Sequence, residues 1–309
     1  MNLQQLRHFV AVVDHGHFAR AAEAIHLSQP ALSRSIQALE QQLDCKLLDR
    51  HNRGISLTAH GELVLEHARR LLAGSRSLKN AVSQLANLQA GELRLGSGPY
   101  PAAHLVPRAM GSMAMAYPGV QLRLTIDNWR RLREQLLDDE LELIVADTRT
   151  VSDDPLLHIE SLTRHRAALF CRKEHPLSLA GKVEFTEVMQ FPLAAAHLPE
   201  QVERTLATAC GRAQPISIHC DNFAALKAMV VGTNVVSMAP WDVIAESVQA
   251  GELAVITPSQ PIAEYSSYGL ISRAGHSLSP AAQMFAERLR EEDSRPLPPG
   301  PKHQAGESR

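Results

Sequence analysis

Gln29, Ser33, Arg34 and Gln37 are spaced so that a helix of 3.6 residues per turn gathers them on one side. The Arg guanidinium can fork onto a guanine edge, Gln can bond adenine twice, and Ser can bond bases or phosphates. The set is therefore suited to reading duplex DNA. Pro30 falls in the first turn behind Ser28, a good N-cap, where a missing N–H costs little. The other side of this stretch carries Leu32, Ile36, Leu39 and Leu43. Any solvated surface helix shows the same division, so the segments around it decide the reading. Downstream, Leu47 to Arg50, His51 to Gly54 and Ile55 to Thr58 read as strand, basic turn and strand. This is a wing, in which Arg50 and Arg53 would touch phosphate.

These side chains need a scaffold. Leu3, Leu6, Phe9, Val10 and Val13 make one apolar helix face that ends at Gly16, and Phe18 to Ile25 forms a second short helix around Ala21, Ala22 and Ile25. A third helix starts at Ser28. Two short helices joined by a tight turn, the second presenting Gln, Ser and Arg, have the geometry that enters a major groove. Thr58 then reads as the N-cap of a helix reaching about Leu88, roughly 45 Å long at 1.5 Å per residue. Leu65, Leu72, Leu78, Val82 and Leu85 form a narrow stripe along it, expected to be a seam between two chains. The alternative is an arm packed on its own chain.

After Gly91 the periodicity changes. Strands are expected at Leu93–Gly96, Gln121–Ile126, Leu141–Asp147 and Ala167–Cys171, with helices near 101–116 and 129–138. A second set follows: a loop at Phe191–Pro199, a helix at Gln201–Cys210, a strand at Ile216–Cys220, a helix at Phe223–Val231 and a strand at Val235–Met238. The expected fold is an α/β protein with an N-terminal all-α winged helix-turn-helix, and the sheet is expected to be mostly parallel. Two α/β halves would enclose a cleft. The expected divisions are 1–58 for DNA binding, 59–90 for the linker helix and 91–290 for the α/β domain. Within that domain one half takes about 91–163 and 268–290, the other about 164–267. The Pro-rich, charged stretch 291–309 is expected to be disordered.

A chain of 309 residues, 45% apolar and 21% charged, describes a globular protein, and no run of eighteen apolar residues could span a membrane. Met1 to Arg7 carries no apolar segment behind a basic start, so no export signal is expected and the cytoplasm is the default. Of 31 Lys and Arg and 33 Asp and Glu, ten basic and seven acidic residues fall in the first 90, giving a basic N-terminal part and an acidic remainder. Cys45, Cys171, Cys210 and Cys220 show no C-x-x-C spacing, and Cys210 and Cys220 are expected to be buried thiols rather than a redox pair. Fifteen histidines, among them His15, His17, His60 and His67, lack companions at ligand spacing, so no metal is expected. No G-x-S-x-G, Walker or dinucleotide fingerprint points to catalysis or a cofactor.

The chain resembles the LysR-type transcriptional regulators from Leu3 to about Leu289. The resemblance rests on Leu6-Arg7-His8-Phe9, Phe18-Ala19-Arg20-Ala21-Ala22, Leu27-Ser28-Gln29-Pro30-Ala31-Leu32-Ser33-Arg34, Leu39-Glu40 and Leu57-Thr58-Ala59-His60-Gly61. It continues in Leu105-Val106-Pro107, Tyr117-Pro118, Phe191-Pro192 and Leu278-Ser279-Pro280-Ala281-Ala282. The resemblance implies a winged helix-turn-helix, a linker helix, and an effector-binding domain of two α/β subdomains resembling a periplasmic binding protein. It also implies operator DNA and a small-molecule effector as partners, and assembly as a dimer or tetramer. Asp139 and Glu142 stand where the family usually has Gly and Asp, and His17 and Ala19 where it often has Ser or Thr.

By position in the family pattern, the effector would meet Pro99, Tyr100, Asn128, Trp129, Ala195, His197, Asp221 and Asn222. Tyr100 and Trp129 replace small hydroxyl residues, so a partly apolar ligand or a narrow cleft is expected, with a plain filling of the cleft by both rings as the alternative. Pro101 suits a first helical position, which makes Tyr100 a poor N-cap and leaves first-turn N–H groups for an anion. Arg130 and Arg131 open the helix at Trp129, where cations oppose the dipole and an anion would relieve them. A rival reading makes the α/β half a solute-binding protein or an enzyme with an accessory helical module. It would need an export signal or a nucleophile–base constellation, and neither stands in the sequence.

Overall fold

The computed structural model describes residues 1–51, 54–86, 91–260 and 265–300. They form two compact units, one mainly from Met1–Val82 and the other mainly from Ser83 onward.

The first unit runs α1 (Leu3–His15), α2 (Phe18–Ala24), α3 (Gln29–Leu43), β1 (Leu48–His51), β2 (Gly54–Leu57) and α4 (Ala59–Ala86). α1 opens in a capping box: Asn2 Oδ1 accepts the Gln5 N–H at 2.9 Å, and Gln5 Oε1 accepts the Asn2 N–H at 3.0 Å. Gly16 closes it with φ +67°. α2 begins at His17 without a side-chain cap, whereas Ser28 Oγ accepts the Ala31 N–H at 3.4 Å to start α3. β1 and β2 pair antiparallel, Leu48 opposite Leu57. Thr58 caps α4: its hydroxyl accepts the Gly61 N–H at 3.0 Å and donates to the Lys46 carbonyl at 2.6 Å. Gly61 is required here, because a Cβ would sit 2.1 Å from the Leu47 carbonyl oxygen. Leu6, Phe9, Val12, Leu32, Ile36, Leu39 and Leu47 are buried together.

The apolar stripe of α4 divides in two, which corrects the expectation of one continuous seam. Ala68 and Leu72 are buried in the core of their own unit, with Leu65 packed against it. That core reaches far enough to cover the first half of the helix. Beyond it Leu78 is 65% and Val82 58% exposed. The side chain of Leu85 lies outside the described residues.

The second unit contains β3 (Gly91–Ser97), α5 (Leu105–Ala116), β4 (Val120–Ile126), α6 (Trp129–Leu137), β5 (Leu143–Asp147) and β6 (Leu157–Ser161). The chain crosses into β7 (Ala167–Arg172), β8 (Lys182–Val183), α7 (Phe185–Val188), β9 (Leu193–Ala195), α8 (Glu200–Cys210), β10 (Ile218–His219), α9 (Phe223–Gly232), β11 (Val236–Pro240), α10 (Trp241–Gln249) and β12 (Leu253–Pro258). It returns for β13 (Tyr268–Arg273) and α11 (Pro280–Asp293). One sheet has the order β4-β3-β5-β13-β6, the other β10-β9-β11-β7-β12-β8. Both are mostly parallel, as expected, with one opposed strand in each. β13 enters against β5 and β6, and β7 runs against β11 and β12. Two crossovers join the sheets, and an antiparallel bridge between Arg166 and Tyr265 links them.

Three further expectations change. The stretch Phe191–Pro199 is not all loop: Leu193, Ala194 and Ala195 form β9, parallel to β10 and β11. The strand expected over Ile216–Cys220 is only two residues long. The expected disorder from 291 also fails for its first part, because α11 continues to Asp293 and the Pro298 carbonyl accepts the Trp241 indole N–H at 2.8 Å. The departures from the family pattern at Asp139 and Glu142 have structural explanations. Asp139 adopts φ +56°, a left-handed conformation that Asp tolerates better than most residues. Glu142 accepts the Ser279 N–H at 2.7 Å, at the start of α11.

Candidate functional site

On α3, Gln29, Pro30, Arg34 and Gln37 are exposed and Ser33 is half-buried, with Leu32, Ile36 and Leu39 turned into the core. Arg34 has no acidic partner among the described residues, so its guanidinium faces solvent ready for an edge or a phosphate. Glu40 holds the junction between α3 and the wing. Its buried carboxylate accepts the Leu47 N–H at 2.9 Å and the Leu48 N–H at 3.4 Å, and pairs with the Lys46 ammonium at 2.9 Å. Burial alone would raise the pKa of Glu40. The Leu47 N–H, Lys46 and the Leu48 N–H outweigh it, so the carboxyl titrates below its ordinary range. Sequence reasoning noted Glu40 only as part of a motif. A Glu in the last turn of an amphipathic helix, just before a wing, was the available signal. Arg50 stands on β1; its side chain, and all of Arg53, lie outside the described residues.

In the second unit the structure brings together only part of the expected effector set. Pro99, Tyr100 and His197 line a small cleft between the two sheets with Asp147, Arg149, Leu198, Val202, Met238, Tyr265 and Tyr268. Its volume of about 80 Å³ is well below the roughly 150 Å³ that holds a benzene ring. Tyr100 is itself a core residue, 8% exposed, and its hydroxyl donates to the Met238 carbonyl at 2.9 Å. Burial pushes its pKa up. The Tyr268 hydroxyl is also buried and has no hydrogen-bond partner among the described residues. An unpaired buried hydroxyl on a cleft wall is the group a ligand oxygen would satisfy. At the mouth, Arg149 is paired with Asp147 and donates to the Tyr265 carbonyl at 3.2 Å.

Asp221 and Asn222 line a separate open groove of about 660 Å³ with Pro99, His104 and Lys227. Asp221 accepts the His197 N–H at 2.7 Å, and Asn222 caps α9 by accepting the Ala225 N–H at 3.1 Å. The remaining expected residues lie elsewhere. Ala195 is buried in β9. Asn128 caps α6 by accepting the Arg131 N–H at 3.1 Å. Trp129 packs on the cluster of Leu132, Leu136, Ile144 and Ile271, behind the first sheet rather than in the cleft. A helix-opening aromatic next to apolar positions three and seven residues on joins their face, which the sequence could have shown. The free N–H groups expected after Tyr100 are already used: Ala102 donates to Gly98 at 3.1 Å and Ala103 to Tyr100 at 3.0 Å. At α6, Asp127 pairs with Arg131 and Arg130 lies over the Trp129 ring, so both arginines are accommodated without an anion.

Among the cysteines, Cys171 and Cys210 are buried and Cys220 is half-buried. Burial raises the Cys171 thiol to about 12 and lifts Cys210 as well. Thiols held protonated are poor redox sensors. Among the described residues no cluster of His, Cys, Asp or Glu is arranged to hold a metal ion, and no helix is long and apolar enough to cross a membrane.

Residues 3–62 match the model of the bacterial regulatory helix-turn-helix protein, lysR family, and residues 86–294 match the LysR substrate binding domain. The chain is 54% identical over 300 residues to the SDS degradation transcriptional activation protein of Pseudomonas sp. (strain ATCC 19151), covering 96% of this chain and 98% of that protein. It is 25% identical to a probable RuBisCO transcriptional regulator of Nostoc sp. (strain PCC 7120 / SAG 25.82 / UTEX 2576), over 93% and 87% of the two chains. Among solved structures, full-length CbnR in complex with its target DNA superposes with a TM-score of 0.69 at 23% identity, covering 94% of this chain and all of that one. A full-length OxyR variant from Pseudomonas aeruginosa superposes at 0.63 with 21% identity, over 95% and 94% of the chains. The chain belongs to the LysR family of transcriptional regulators, joining a helix-turn-helix DNA-binding domain to an effector-binding domain.

Proposed function

We propose that the chain activates transcription of genes for breaking down an alkyl sulfate or a similar anionic amphiphile. It would bind operator DNA through α3 and sense its effector in the cleft beside Tyr100. The observation that carries this reading is the 54% identity along 96% of the chain to a transcriptional activator of SDS degradation. The cleft chemistry agrees with it: Leu198, Val202, Met238 and the aromatic rings would take an alkyl chain, with Arg149 and His197 at the polar end. Because the cleft is now smaller than such a ligand, binding would require the two sheets to move apart. Gln29, Pro30, Ser33, Arg34 and Gln37 would read bases or phosphates, and Arg50 and Arg53 would hold the backbone. The chain would work in the cytoplasm as a non-catalytic regulator, self-associated through the exposed second half of α4. The expected divisions at about 58, 90 and 290 serve this arrangement.

The test is to select operators from a random DNA pool with the full chain, then measure their affinity and reporter transcription while titrating hexyl to decyl sulfates below micelle formation. An operator whose binding or output changes with alkyl sulfate supports the reading. No recovered operator refutes the DNA-binding part. A recovered operator indifferent to every alkyl sulfate refutes the effector.

A further inference from the structure

His8 of α1 and Ser35 of α3 share a hydrogen bond of 2.7 Å between the imidazole Nδ1 and the hydroxyl Oγ, and both residues are half-buried. Successive side chains on a helix turn by about 100°. Ser35 therefore lies on the flank of α3, between the exposed side that carries Arg34 and Gln37 and the buried side that carries Leu32, Ile36 and Leu39. α1 offers that flank a fixed reference. It opens in the Asn2–Gln5 capping box, and Arg69 of α4 donates to its Asp14 at 2.8 Å. Leu6 and Phe9 of α1 share one buried cluster with Leu32, Ile36 and Leu39 of α3. Apolar burial is non-directional, so its energy changes little when α3 rolls slightly about its own axis. A hydrogen bond between the helices is directional and weakens steeply as its angle closes. A helix with its side chains is about 10–12 Å across, so a roll of about 20° carries a side-chain tip by about 2 Å. That displacement takes a guanidinium out of bidentate reach of a guanine edge. Burial also holds the His8 imidazole below its ordinary pKa, so the ring is neutral at pH 7 and brings geometry rather than charge.

We propose, on the reading that α3 contacts the bases, that His8 is a positioning residue for DNA recognition: its hydrogen bond to Ser35 sets the roll of α3 and so the direction in which Arg34 and Gln37 meet the base edges. A bond that only stabilised the fold would change how much protein is folded, not how the folded protein ranks sequences. A positioning bond changes the ranking. Base contacts need distance and angle satisfied together, whereas phosphate contacts tolerate a small shift because charge acts over several ångströms. Loss of the bond therefore lowers affinity for the operator and spares affinity for random DNA.

The full-length parent first recovers a duplex from a random DNA pool, and a random-sequence duplex of the same length serves as reference. The measured quantity is the ratio of the two affinities at equal concentrations of folded protein. Ser35→Ala, and His8→Phe, which keeps a ring of similar size, should each lower the ratio about fivefold or more, the least expected when one bidentate base contact fails. The double variant should fall no further than either single one, because both remove the same bond. His8→Asn, whose amide reaches the place of Nδ1, should restore the parent ratio. Circular dichroism confirms that each variant is folded, and Ser35→Ala with His8→Asn decides the matter if His8→Phe is not. An unchanged ratio, an equal loss on both duplexes, additive losses in the double variant, or a His8→Asn ratio no higher than that of Ser35→Ala would each overturn the proposal. Arg34→Ala separates this outcome from the reading beneath it. A parent ratio in Arg34→Ala, or no recovered duplex, takes Arg34 off the bases and the proposal with it. A low ratio there beside a parent ratio in Ser35→Ala removes only the role of His8.

Discussion

Arg34 stands on the exposed face of α3, with no acidic partner among the described residues. If it forks onto a guanine edge, Arg34→Ala should cost about 1–3 kcal/mol of operator affinity and relax preference at one base pair. Affinities for the selected operator and its single-base variants measure both effects, and unchanged affinity and preference would place Arg34 off the DNA. Asp242, in the first turn of α10, is buried, and its Oδ1 has no hydrogen-bond partner among the described residues. Burial raises its carboxyl to about 7. A folded-state pKa above the unfolded one means that the stability Asp242 contributes is complete below its ordinary value of 3.8 and is lost as pH rises through about 7. Asp242→Asn stays neutral, so it should match the parent near pH 4 and exceed it above pH 7, by at most about 4 kcal/mol for a three-unit shift. Urea unfolding followed by Trp241 emission reads the difference, and a gap independent of pH would show that Asp242 does not titrate in this range.

At the scale of elements, α4 performs two tasks along one stripe. Its first half completes the helix-turn-helix core through Leu72, 5% exposed, and its second half leaves Leu78 and Val82 in solvent. Leu72→Ala should therefore destabilise the N-terminal unit by about 2–5 kcal/mol. Leu78→Lys should spare that unit, because the side chain is already exposed. If the second half of α4 is the interface, Leu78→Lys should give folded monomers by sedimentation, with operator binding reduced to that of a single half-site. An intact dimer would move the interface elsewhere. The wing depends on a different device, the single carboxylate of Glu40 that ties α3 to Leu47 and Leu48. Glu40→Ala leaves two buried N–H groups unpaired and should lower the unfolding midpoint of this unit, at about 1–3 kcal/mol for each group left unsatisfied.

For the whole molecule, the basic residues gathered in the first 90 positions and the acidic surplus beyond them make DNA binding a property of one end of the chain. The affinity should fall steeply with salt. Removing Arg50 or Arg53 should weaken all sequences alike and flatten the salt slope by about one unit each if both touch phosphate. Binding isotherms at several salt concentrations, on operator and random DNA, separate this from a loss of specificity. A slope unchanged in both variants would remove the wing from the interface.

What the sequence determined by itself was local: the caps at Ser28 and Thr58, the end of α1 at Gly16, the core face of α3 and the exposed set around Arg34. These follow from residues within one or two turns of each other, and the family resemblance followed from the same short patterns. The tertiary structure alone decided which apolar residues found a cover. Tyr100 became a core residue because the Met238 carbonyl, 138 positions away, accepts its hydroxyl. Trp129 left the cleft because Ile271 and its neighbours, brought up by β13, offered it a better surface. Leu193–Ala195 read as loop because three residues carry no period, and they became a strand only when β10 and β11 bracketed them. The segment after Asp293 lacked any apolar pattern and was placed by Trp241. In each case the deciding partner is distant in sequence, and helical or strand periodicity shows that a face must be covered without showing by what.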